Sequence, residues 1–256
     1  MKSFKIIAVS SRILLLSACL TTMVSCKEDA SKRIKEENKT EVETQDKVQT
    51  TEQAEPQENL VGGEAQFEAG IKAAESNDMP LAFTKFMEAA KEGHEYAQFN
   101  IGLMYEQGLG VAKNQEEAFN WYTKSATQKN SAAQFNLGVC YENGYGTPVD
   151  FAKANAWYRK ASLQDDGLAV GNLGMLYIRG DGVKENKVAG IALLIMSTTM
   201  DSSPENQAKK NISSIRGLTP EMISEAQTLS NQMSASATEN FLEPLDQYLG
   251  TSQNAI

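Results

Sequence analysis

The sequence predicts an all-α protein, an α/α superhelical solenoid of helical hairpins closed at its C-terminal end by capping helices. Three observations carry this. A block of the chain repeats itself in steps of 36 residues. Pairs of glycines fall on the same step and divide each copy into two helix-length halves. Beyond the last copy, apolar residues recur at helical spacing behind hydroxyl-Pro starts.

Residues 1–25 hold Lys2, Lys5 and Arg12 and no acid, and the apolar run Ile13 to Val24 follows Arg12. That is the layout of a secretory signal. The run of twelve residues is short of the roughly twenty that a permanent membrane-crossing helix needs, so its removal is expected. Two stretches there, Leu16-Ser17-Ala18-Cys19 and Met23-Val24-Ser25-Cys26, resemble the lipobox of bacterial lipoproteins, an apolar residue and two small ones ahead of a cysteine that becomes diacylated. The first fits the motif better. The second stands where hydrophobicity stops and KEDASKRIKEEN begins, and it alone leaves a full apolar stretch after Arg12. Cys26 is the expected lipidation site, with Cys19 the alternative and an ordinary cleaved signal the plainer reading. The resemblance implies a lipid-anchored protein of the bacterial cell envelope that faces the periplasm and touches membrane through the anchor alone. Lys27 behind the lipidated cysteine implies the outer membrane in bacteria that sort on that position.

Residues 26–62 read as a polar tether. From Lys27 to about Asn59 nearly every residue is Glu, Lys, Gln, Thr, Asp or Asn, and Ile34, Val42 and Val48 are the only large apolar residues. Such a segment buries too little surface to offset its conformational entropy, so disorder is expected. As a flexible coil it would span roughly 30–35 Å root-mean-square.

A first hairpin is expected over residues 63–94, from Ala69-Gly70-Ile71-Lys72-Ala73, then Leu81-Ala82-Phe83, Phe86 and Ala89-Ala90. Three copies follow, over 95–130, 131–166 and 167–202. Their register is fixed by Ala97-Gln98-Phe99-Asn100-Ile101-Gly102, Ala133-Gln134-Phe135-Asn136-Leu137-Gly138 and Ala169-Val170-Gly171-Asn172-Leu173-Gly174. On the same step lie Tyr105, Tyr141 and Tyr177, the pairs Gly108/Gly110, Gly144/Gly146 and Gly180/Gly182, and Trp121-Tyr122 against Trp157-Tyr158. Gly102, Gly138 and Gly174 sit inside helices at a cost of about 1 kcal/mol each relative to Ala, which close packing of the two helices of one hairpin would offset. Trp121 and Trp157 are expected in the core. Over 203–250, Ser203-Pro204-Glu205 predicts a helix that Gly217 ends, and Thr219-Pro220-Glu221 predicts another, with Met222, Ile223, Ala226, Leu229 and Met233 on one face. A last segment carries Phe241, Leu242, Leu245, Tyr248 and Leu249.

The recurring residues resemble the Sel-one-like repeat, a relative of the tetratricopeptide repeat with an Ala-rich first helix bearing Leu-Gly and Tyr, a Gly-x-Gly loop, and a second helix bearing Trp-Tyr. The third copy departs from it, with Leu193-Leu194 in place of Trp-Tyr, as befits a unit with a different neighbour. In the first hairpin Gly70 to Ala82 is twelve residues, the plain tetratricopeptide spacing, whereas Gly102 to Ala118 is sixteen. Each such unit cannot bury its apolar face alone, so stacking builds the core and the ends need caps.

Chemistry is sparse. The chain has one histidine, His94, and no HExxH or CxxC pattern, so no metal site or cofactor is expected. His94, after Glu92-Gly93, reads as an exposed turn residue. No Gly-x-Ser-x-Gly elbow or Ser-x-x-Lys pair supplies a serine nucleophile. The Gly-x-Gly loops follow helices, whereas a phosphate cradle follows a strand, and Asp165-Asp166 and Asp181 lack the spacing of a calcium loop. Cys140, the one cysteine besides the two lipidation candidates, stands where the other copies carry Met104 and Leu176 and reads as a small buried apolar group. The chain carries 24 Lys and Arg against 33 Asp and Glu; losing the three cations of residues 1–25 takes its net charge from −9 to −12. So acidic a protein is a poor nucleic-acid binder.

Function is therefore sought on the surface. In tetratricopeptide-like solenoids the first helices line a concave groove, and the Asn two residues before the helix glycine points into it. The resemblance implies that Asn100, Asn136 and Asn172 form a ladder able to hold a peptide backbone or terminal carboxylate, with Tyr96, Phe99, Leu103, Phe135, Val139, Met175 and Arg179 as groove neighbours. The competing reading is that these Asn residues bond within the solenoid. The expectation is a non-enzymatic scaffold with a protein or peptide partner. The alternatives are a cell-wall or β-lactam hydrolase or penicillin-binding protein, as in a disulfide-stapled secreted branch of the family, and a structural homo-oligomer.

Overall fold

In the computed structural model, residues 63–236 and 240–253 are described, and eleven helices and no strand lie among them. Cys19, Cys26 and the whole tether, residues 26–62, lie outside the described residues. The first hairpin is α1 (Glu64–Glu75) and α2 (Met79–Lys91); the repeats are α3 (Glu95–Gln107) with α4 (Gln115–Thr127), α5 (Ser131–Asn143) with α6 (Phe151–Ser162), and α7 (Gly167–Arg179) with α8 (Lys187–Met200). The cap is α9 (Ala208–Ser214), α10 (Pro220–Ser234) and α11 (Glu243–Gln253). Each helix from α1 to α8 packs on the one before and the one after it, and α9, α10 and α11 then fold back onto α8. No helix among the described residues is long and apolar enough to cross a membrane.

Side chains start the helices in a repeated pattern. His94, Asn130 and Asp166 accept from Ala97, Ala133 and Ala169 N–H at the starts of α3, α5 and α7. Asn114, Asp150 and Asn186 do the same for α4, α6 and α8. These oxygens or ring nitrogens satisfy N–H groups that a helix start leaves unpaired. The first helices end on Gly108, Gly144 and Gly180, each in the left-handed region. The second glycine of each loop rests on the start of an earlier hairpin's second helix: a Cβ on Gly110, Gly146 or Gly182 would strike backbone at Met79, Gln115 or Phe151.

The helix glycines behave as their spacing predicts. Gly102 and Gly138 face the rings of Tyr122 and Tyr158, and Gly174 faces Gly190, Leu193 and Leu194. In the shorter first hairpin, Gly70 meets Phe86. Leu193 and Leu194 are wholly buried because α8 has neighbours on every side.

Several expectations need correction. His94 is buried, stacked on Phe67 with ring centroids 4.3 Å apart, because its ring nitrogen is needed inside the turn to cap α3. Trp121 is buried, but Trp157 is half-buried under Lys160, which lies 3.7 Å from its ring centre. Ser203-Pro204-Glu205 starts no helix. Asn206 bonds the Ser197 and Asp201 carbonyls, and the Ser203 hydroxyl goes to the Asp201 carboxylate, so α9 begins only at Ala208. Thr219 caps α10 as expected, yet Ile223 on that helix is exposed. Asp166 is a helix cap and Asp181 pairs with Arg179, so neither is a merely solvated turn residue. Cys140 is buried, as expected, and burial followed by the charge of Glu106 pushes its thiol up to about 12.

Candidate functional site

The first helices α3, α5 and α7 present equivalent positions one repeat apart. Leu103, Val139 and Met175 form a half-buried apolar row, one on each helix. Phe135, on α5, is half-buried against the Tyr158 ring at 5.9 Å, while its counterpart Phe99 is buried, 6.0 Å from the Tyr122 ring. Tyr96 sits half-buried at the start of α3, 6.3 Å from Phe67, and burial with the adjacent Glu95 raises its hydroxyl pKa.

Between these helices rise two tyrosines from the second helices. Tyr122, on α4, donates its hydroxyl to Glu106 Oε2 on α3 at 2.5 Å, and Tyr158, on α6, donates to Glu142 Oε2 on α5 at 2.7 Å. The asparagine of the following repeat completes each group. Asn172 Nδ2 donates to the Tyr158 hydroxyl at 3.1 Å, and a bond with Asn136 lowers the pKa of the Tyr122 hydroxyl. Burial first, then the neighbouring glutamate, pushes both phenols far above their ordinary range, and the asparagine bonds oppose that shift. Both hydroxyls therefore stay protonated, as donors to carboxylates.

Asn100 departs from this pattern for a visible reason. The residue that would hold its tyrosine is Phe86, which has no hydroxyl, so buried Asn100 turns its Nδ2 to the Tyr96 carbonyl at 2.7 Å. The three asparagines thus each make a bond within the solenoid, and two of them stand half-buried on the same face as the apolar row. Arg179, at the end of α7, donates Nη2 to Glu142 Oε1 at 2.6 Å and Nε to Asp181 Oδ2 at 2.5 Å. Partial burial lowers its pKa, but the bonds to Asp181 and Glu142 outweigh this and raise it.

Sequence reading singled out the asparagines and missed Glu106, Glu142 and the second role of the tyrosines. The signal was present. Glu106 and Glu142 share the 36-residue step and lie four residues, one helical turn, after Gly102 and Gly138, where the tyrosines pass. A further ladder lies lower in the stack. Gln98 and Gln134 donate to the Ala90 and Ala126 carbonyls and accept from Gln128 and Gln164. Among the described residues no cluster of His, Cys, Asp and Glu could hold a metal ion. What the face offers is half-buried apolar surface beside fixed donors and acceptors.

The Sel1 repeat family matches residues 95–130, 131–166 and 168–202. Among solved structures, a Sel1 repeat protein from Oxalobacter formigenes is 23% identical, with a TM-score of 0.56 over 77% of this chain and 89% of that one. It shares the fold. A protective antigen of uropathogenic Escherichia coli displaying an SLR fold is 27% identical over 72% of this chain and 46% of that one, with a TM-score of 0.43. No curated protein matches the chain. The chain therefore carries three Sel1 repeats, which lie between residues 95 and 202 and form the middle of an all-helical solenoid.

Proposed function

We propose that this protein is a lipid-tethered scaffold of the bacterial envelope that holds a peptide segment of a protein partner along α3, α5 and α7. The observation that carries the reading is the periodic surface itself. Leu103, Val139 and Met175 repeat as half-buried apolar anchors beside the polar groups around Tyr122 and Tyr158. A repeated surface of this kind suits an extended chain, whose backbone bonds and side-chain pockets also recur. Anchorage through Cys26 would hold this body on the tether, clear of the lipid.

A photo-crosslinking side chain at Val139, in the full-length protein within the cells that make it, tests the groove. The same group at the exposed Ala156 of α6 is the reference. A partner captured at position 139 and not at 156 supports the reading; capture at 156 alone, or at neither position, removes it. The anchor is tested by labelled palmitate, whose incorporation should vanish in Cys26→Ser and persist in Cys19→Ser.

A further inference from the structure

Two junctions in the solenoid are built alike, and one of them lacks a cation. At the junction of the second and third repeats, Glu142 takes the Tyr158 hydroxyl on Oε2 at 2.7 Å and Arg179 Nη2 on Oε1 at 2.6 Å. Asp181 holds the other side of that guanidinium. One repeat earlier the carboxylate is Glu106, with Oε2 occupied by the Tyr122 hydroxyl at 2.5 Å. Asn143 stands in the place of Arg179, and its Nδ2 returns to the Val139 carbonyl of its own helix at 3.0 Å. No salt bridge reaches Glu106 from the described residues.

The backbone at the two places is the same. Gly144 and Tyr145 N–H both donate to the Cys140 carbonyl, as Gly180 and Asp181 N–H both donate to that of Leu176. The residue in the place of Asp181 is Tyr145, which is 43% exposed and among the few large apolar side chains that the body leaves in solvent.

We infer that Glu106 receives an arginine side chain of the bound partner. The guanidinium donates to Glu106 Oε1 as Arg179 donates to Glu142 Oε1, and the Tyr145 ring walls the site where Asp181 stands in the next repeat. Arginine fits better than lysine, because its planar fork bonds a carboxylate and stacks on an aromatic face at once. Glu106 is half-buried beside Tyr122, so the pair is less screened than one on the open surface. The net charge of −9 favours approach of a basic segment. This assignment rests on the proposed groove and names the chemistry of its occupant.

The test selects random peptides displayed on phage against the full-length protein and measures the affinity of the synthetic winners by fluorescence anisotropy. Arginine should recur at one position. Replacing it with citrulline, which keeps its shape without the charge, should weaken binding about tenfold or more, and Glu106→Gln should do the same. Combining the two changes should cost little more than either alone. Gln at 106 retains an acceptor for Tyr122, and a thermal melt checks its fold. Asn143→Arg, on an exposed position, supplies the missing cation from within and should block the same peptides. Winners that cross-link at Val139 yet bind equally well with citrulline, or to both variants, overturn the arginine site and leave the groove standing. Failure of every winner to cross-link at Val139 overturns both.

Discussion

Gly138 lies against the ring of Tyr158 so closely that a Cβ on the glycine would come within 2.5 Å of the ring's Cε1. The two residues come from the two helices of one hairpin and set how near those helices run. Gly138→Ala gains about 1 kcal/mol of helix propensity and loses about 1–3 kcal/mol to overpacking against a buried ring, so a net destabilisation is expected. Gly250→Ala in α11 meets nothing within 4 Å and should stabilise by about 0.5–1 kcal/mol. Urea unfolding of the two variants should move in opposite directions.

Alkali should weaken the fold before it affects most exposed groups. Cys140 rises from 9.0 to about 12 in the folded state. Between these values the unfolded chain gives up the thiol proton while the native chain keeps it. The native state then binds more protons, and stability falls as pH rises from about 9. Tyr122 and Tyr158, also shifted upward by burial, add to the loss above pH 10, their ordinary value. Urea midpoints taken from pH 7 to 10.5 should fall, and Cys140→Ala should make the early part of that fall shallower. A thiol reagent should label Cys140 only as the protein unfolds.

His94 is a helix cap with a ring, and its two roles can be separated. Nδ1 accepts from Ala97 N–H at 3.2 Å, which requires the neutral tautomer with its proton on Nε2, beside Glu64 Oε2 at 3.3 Å. His94→Ala should destabilise by about 1–2 kcal/mol. His94→Asn should cost less, because Asn130 caps α5 from the equivalent position. Equal losses in both variants, read by thermal melting, would mean that stacking on Phe67 carries the effect.

Ser162 is fully buried, and its hydroxyl has no hydrogen-bond partner among the described residues. Ala126 occupies the same position one repeat earlier, also buried. Ser162→Ala therefore removes an unpaired polar group from the core without leaving a large void, and should stabilise by about 1 kcal/mol. A lower melting temperature would show that the hydroxyl is bonded after all.

The sequence made much of this legible because each statement about one repeat could be checked against the next. The close approach of the two helices of a hairpin followed from Gly102 and Gly138 recurring inside helices, although the rings they meet, Tyr122 and Tyr158, were not named by the sequence. Two kinds of feature escaped it. One is the exchange of partners where a single copy differs: Phe86 lacks the hydroxyl that Tyr122 and Tyr158 carry, so Asn100 alone turns back to its own helix. The other is pairing between distant segments. Arg159 on α6 meets Asp246 on α11 at 2.6 Å across a separation of 87 residues, which no short period reports. The capping turn at 201–206 failed for a local reason, since the side chain of Asn206 competed for the groups that a helix start at Ser203 needed.

Leu194 also determines where the array can be lengthened. In the first two repeats the equivalent tyrosine reaches forward to an asparagine of the next unit, and the loop glycines seat each unit on the one before. Leu194 offers no hydroxyl, and α8 is already sheathed by α9, α10 and α11. An extra copy of residues 131–166 spliced ahead of Gly167 would find a matching socket on both sides. The same copy spliced after residue 202 would have to strip the cap away first, so the chain behaves as an extendable rack with one sealed end.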